Sequence, residues 1–173
     1  VLNFVDAHRR NGFHAPVWWK YGLAHRFSRR IDRRWTTSIG HGTGDARAED
    51  DWIWEPRIYS FVKNDFFPSA RDMLAWRRYE DVDAFGHLVT WSKVDFLLER
   101  GEGDVGAFHD AICGPLPPRE GGAGEPGPTL SDDERAVARV ELQLAALAEH
   151  LGLTPEELDE QWVKHVRREY ERK

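Results

Sequence analysis

"PVWWKYGLAHRF", residues 16–27, is the stretch on which the reading of this chain turns. Pro16 suits the first turn of a helix, where its missing N–H costs nothing, and the run after it predicts a helix to about Arg30. Tyr21 and His25 then stand one helical turn apart and leave the same face. They form a candidate polar site, and Trp18 on the same helix is a candidate binding residue.

Working outward, residues 1–10 read as the tail of a helix ending near Asn11-Gly12, and residues 35–50 as a Gly/Thr/Asp-rich loop. "DWIWEPRIYSFV" (51–62) alternates bulky and polar residues, which predicts a short strand or extended segment broken at Pro56. Trp52 and Trp54 would share one face of it. They are candidate binding residues for an extended peptide added along the edge, although burial in the core is the commoner fate of tryptophan. "SARDMLAW" (69–76) predicts a short helix. In "DVDAFGHLVTWSKVDFLLER" (81–100), Phe85, Leu88, Val89, Trp91, Val94 and Phe96 give a stronger one, ending near Gly101. Residues 104–113 predict another helix with Asp104 as N-cap, and residues 114–130 a flexible Gly/Pro-rich loop.

Two later helix entries are signalled by chemistry. Ser131 with Glu134, and Thr154 with Glu157, fit the S/T-x-x-E capping box, which satisfies the orphan donors of a helix start. Leu158, Trp162, Val166 and Tyr170 then keep helical step on one face. The expected class is mainly α with a small β element (α+β), as one domain over residues 1–173. Because the chain starts at Val1, it is expected to be a fragment of a longer chain or a processed product.

Bulk composition narrows the function classes. The chain has 173 residues, enough for a real core, and eight tryptophans supply much apolar area. No run approaches the roughly 18–20 apolar residues of a spanning helix. Cys113 is the sole cysteine, so an internal disulfide and a cysteine-rich zinc site are both excluded. In "AICGPLPP" it reads as a small buried apolar residue. The net charge of −6 conceals arginines crowded before residue 35. "RFSRRIDRR" lies where a helix end favours cations, so a solvated helix end is expected and no nucleic-acid partner.

The quoted stretch resembles the P-x-W-x-x-E-G-L-A-x-x-F segment of gluzincin metallopeptidases, the peptidase MA-like, thermolysin-related group. "TWSKVDFLLERGEGDVGAFHDAI" (90–112) is similar to their W-x-x-V-x-F-L-L segment and following helix. "LGLTPEELDEQWVKHVRREY" (151–170) is similar to their closing G-x-[ST]-x-x-E-L-[DE]-x-x-W helix. The resemblance implies the C-terminal helical half of a zincin-like domain. In that group, zinc is held by H-E-x-x-H and by the glutamate of E-G-L-A, with the motif glutamate as general base for a metal-bound water.

Carried over by residue, that third ligand falls on Tyr21, a neutral phenol with a pKa of about 10 and a poor zinc ligand. Upstream, aligning His8 with the second histidine gives Phe4-Val5-Asp6-Ala7-His8, without the first histidine or the general base. His8, Tyr21 and His25 are therefore candidates for a vestigial site, with no catalytic residue, metal or cofactor expected; zinc is the metal such a site would take. The expected role is a non-catalytic pseudo-peptidase domain that binds a protein or peptide or acts as a scaffold. Two alternatives are a hydrolase or metal-dependent peptidase with a remodelled site at His8, Tyr21 and His25 with Asp6, and a helical interaction module unrelated to peptidases.

The remaining histidines carry less. His41, in "GHGTGD", lacks a paired ligand, and that loop lacks the Gly-Lys-Ser/Thr ending of a phosphate loop. His87 reads as a core or boundary residue, and His150 and His165 as surface residues. No G-x-S-x-G elbow is present.

Overall fold

The computed structural model describes residues 15–32, 53–101, 103–114, 116 and 130–171. Residues 1–10 and 35–50, with His8, His41 and Trp52, fall outside them, as does most of 114–130, so the expectations for these lie outside the described residues. Within the described residues the protein is mainly helical. The order is α1 (Val17–Ile31), α2 (Glu55–Lys63), α3 (Ala70–Ala75), a 3₁₀ turn (Tyr79–Asp81), α4 (Ala84–Glu99), α5 (Val105–Ile112), α6 (Asp132–Ala146), a π-helical turn (Leu147–Leu151) and α7 (Pro155–Glu169).

The expected β element is not among the described residues. Of the 51–62 stretch whose alternation predicts a strand, residues 55–62 lie in α2, with Pro56 in the first helical turn and Trp54 as N-cap. Proline is as much at home there as at a strand break, and Ile58 and Val62, four apart, are both buried. Here the helical period overrides the short alternation.

The entries of the other helices are built as their sequences suggest. Ser131–Glu134 and Thr154–Glu157 both close reciprocal capping boxes. Asp104 caps α5 through the Ala107 N–H, and Asp83 caps α4 through the Gly86 N–H. Gly152, left-handed at φ 62°, ends the π-helical turn after α6.

Helix α4 is the centre of the fold. Residues on every side of it are buried, including Gly86, Thr90, Ser92 and Lys93 as well as the apolar positions, as expected of a helix enclosed by its neighbours. Its most extensive packing is with α1, and α2 and α7 cover other sides. At the α1–α4 crossing the backbones nearly touch: a Cβ added at Gly22 would lie 2.3 Å from Val94 Cγ2 and 2.7 Å from the Thr90 carbonyl oxygen. Leu23 and Ala24 beside it are buried too. The G-L-A of the opening stretch is thus a packing surface.

The other two quoted segments meet each other. The Trp162 indole donates to Ser92 Oγ at 2.9 Å. Lys93, fully buried, places its ammonium 2.5 Å from Asp159 Oδ1 and 3.0 Å from the Pro68 carbonyl oxygen. The stripe Leu158, Trp162, Val166 and Tyr170 lies entirely in the core. Among the described residues, no buried side-chain nitrogen or oxygen lacks a hydrogen-bond partner.

Candidate functional site

Helix α1 carries Tyr21 and His25 towards α4, and there His25 meets a histidine. His25 Nε2 lies 3.0 Å from Nδ1 of His87, so one ring donates and the other accepts. Both imidazoles are buried. The Tyr21 ring is half-buried and packs edge-on against His87 (centroids 5.4 Å) and Tyr79 (5.3 Å). Trp54 closes the other side of His25 at 5.3 Å. The group is an aromatic plug spanning α1, α4, the N-cap of α2 and the 3₁₀ turn.

Electrostatics follow from that burial. Desolvation first, then the neighbouring His87 and Arg29, pull His25 down to about 3 from the ordinary 6.5. Burial also lowers His87, against the opposing charge of Asp83. Both rings are neutral at neutral pH. An enclosed imidazole at about 3 is a weak base without a path to a substrate proton.

One turn further along α1, Arg29 lies against the faces of two tryptophans, 4.3 Å from the Trp54 ring and 4.5 Å from Trp91. It pairs with Glu55 at 3.4 Å, both side chains being buried. Arg26 pairs with Asp95 of α4. These two arginines were expected at a solvated helix end. Both are instead buried, because acids from α2 and α4 meet them there.

The candidate residues thus fall into separate classes. Tyr21 and His25 share one cluster, whose third polar member is His87. Trp18 is 2% exposed, and its indole donates to Gln143 at 2.8 Å. Trp54 is equally buried. Cys113 is buried, which raises its thiol to about 11 and leaves it without nucleophilic character at neutral pH. His165, expected at the surface, is half-buried against Phe96 and Tyr170. Sequence reasoning did not join His87 to His25 or single out Tyr79. No local spacing signals a pair 62 residues apart.

Among the described residues no group of three or more His, Cys, Asp or Glu side chains could hold a metal ion. The His25–His87 pair supplies two nitrogens already spent on each other, and Tyr21 adds a phenol ring rather than a carboxylate. A cleft of about 540 Å³ opens elsewhere, between α4 and α7, lined by Asp95, Glu99, Arg100, Lys164 and His165 among others; Tyr21, His25 and His87 are not part of its lining.

Comparison of the chain with protein-family models, with curated proteins and with solved structures returned no match.

Proposed function

We propose that this chain is a non-catalytic domain on a metallopeptidase-like scaffold, which binds a protein or peptide partner or supports neighbouring domains. The observation that carries the reading is the state of position 21. Where the gluzincin pattern asks for a metal-binding carboxylate, Tyr21 offers a ring packed between Tyr79 and His87. The next turn of the same face, His25, is committed to His87. What the chain retains of the pattern serves packing: Gly22 at the helix crossing, and Trp162 and Asp159 against Ser92 and Lys93.

A remodelled hydrolase would need a solvent-reachable imidazole, and His25 is 4% exposed. The reading as a helical interaction module is favoured by one observation: among the described residues the architecture contains no strand. Both this reading and the one proposed are non-catalytic. A peptidase assay on the intact chain with a fluorogenic peptide mixture, with and without added zinc, tests them. The expected result is no turnover in either condition; zinc-dependent cleavage that disappears in Tyr21→Phe would overturn both.

A further inference from the structure

Helix α2 ends by presenting an aromatic side chain to water. Asn64 is its C-cap, and Asp65 follows in the left-handed region at φ 52°. The Phe66 N–H reaches back to the Phe61 carbonyl at 2.9 Å, and the Asp65 N–H to the Val62 carbonyl at 3.4 Å. This is the double closure of a Schellman motif, with Phe61 and Phe66 as its hydrophobic pair. The backbone closure places Phe66 beside Phe61 at the end of the helix. Its ring meets Phe85, at the entry of α4, with centroids 5.6 Å apart, and Phe85 meets Phe61 at 4.9 Å. Yet Phe66 is 61% exposed and Phe85 42%.

Beside these rings runs a groove of about 470 Å³ with Phe67, Pro68 and Trp76 as further apolar lining. Its polar lining has one sign. Asp72 accepts from the Ser69 N–H, Asp81 from the Arg77 and Arg78 N–H groups, and Asp83 from the Gly86 N–H. Those bonds hold three carboxylates at the rim, and Asp65 and Glu80 add two exposed ones. No Lys, Arg or His is among the groove's described lining residues. Arg77 and Arg78, which both act on Asp81, and the buried Lys93, which acts on Asp72, lie outside that lining.

We propose that this face docks a basic peptide segment, with an apolar or aromatic residue seated against Phe66 and Phe85 and Lys or Arg side chains along the carboxylate rim. The inference rests on the binding reading and names the partner's chemistry. Two exposed rings in edge-on contact supply anchor area of the kind that dominates peptide interfaces. The one-sided charge selects among occupants by complementarity. An acidic peptide or an anionic lipid surface would meet repulsion at the rim. A second copy of this chain docking by the same face would bring carboxylates to carboxylates.

A random-peptide display library selected on the intact chain, followed by anisotropy titration of the recovered peptides at low and high salt, tests the proposal. The expected peptides are basic with at least one large apolar residue, and bind more weakly at high salt. Phe66→Ala is expected to weaken them by roughly tenfold or more. Asp65→Asn/Glu80→Lys, which leaves the left-handed position to a residue that tolerates it, should do the same. Phe27→Ala, an exposed ring on α1, should leave binding unchanged, and far-UV circular dichroism should confirm that all three variants fold. Recovery of neutral or acidic peptides, of none, or of basic ones indifferent to both groove variants would overturn it, as would self-association or anionic-vesicle binding lost with Phe66→Ala. A failure here in a chain without peptidase activity removes the partner assignment alone. Zinc-dependent cleavage would remove the functional reading whatever the peptides do.

Discussion

The Nε2 atom of His25 and the Nδ1 atom of His87 lie 3.0 Å apart across the crossing of α1 and α4. Their hydrogen bond needs one ring to accept, so it is lost once both rings are charged, and burial disfavours charging even one of them. Enclosed by Tyr21, Tyr79 and Trp54, and with Arg29 adding positive charge to His25, the pair opposes protonation from every side except that of Asp83.

This arrangement makes stability depend on pH with a definite sign. His25 is held at about 3 in the fold and titrates near 6.5 when exposed. Below 6.5 the unfolded chain binds a proton that the folded chain refuses. The contribution is fully present above that value and is lost as pH falls towards 3, by about 1.4 kcal/mol per pH unit for one such group. In urea denaturation between pH 7 and pH 5, the wild-type chain is expected to lose roughly 2 kcal/mol more than His25→Gln. Parallel profiles for the two proteins would contradict the assignment.

Gly22 is where α1 and α4 come closest, and a methyl group there meets Val94 and the Thr90 carbonyl at once. Gly22→Ala is expected to cost roughly 1–3 kcal/mol by overpacking, read as a lower urea midpoint. Val94→Ala in the same chain should recover part of the loss, a non-additive pairing. The Thr90 carbonyl cannot move aside as a side chain does, so recovery should be incomplete.

Lys93, fully buried, pairs with the part-buried Asp159, and its ammonium also faces the Trp162 ring at 4.8 Å. Burial lowers the lysine's proton affinity, and Asp159 is the chief force opposing that. Asp159→Asn leaves a buried cation without its countercharge and is expected to cost about 3–5 kcal/mol. Lys93→Met, which removes the cation itself, should cost clearly less. Chemical denaturation of the two single variants and the double variant measures the coupling.

Much of this architecture is legible locally. The two capping boxes, the Asp104 cap and the Leu158–Tyr170 stripe follow from spacing alone, because capping and amphipathicity are properties of a few adjacent residues. Residues 51–62 mislead because a brief alternation and a first-turn proline look alike in extended and helical settings. The arginines of α1 mislead for another reason: Arg26 and Arg29 are buried by Asp95 and Glu55, which lie far along the chain. The candidate site is half legible. Tyr21 and His25 share a face by helical geometry, whereas their engagement with His87 depends on how α1 crosses α4, which no local pattern encodes.

Whether position 21 can help hold a metal is measured most directly by zinc stoichiometry. The intact chain, incubated with excess zinc, dialysed and analysed by inductively coupled plasma mass spectrometry, is expected to retain far less than one zinc per chain, with Tyr21→Phe giving the same value. One retained zinc per chain, lost in Tyr21→Phe or His25→Gln, would contradict it.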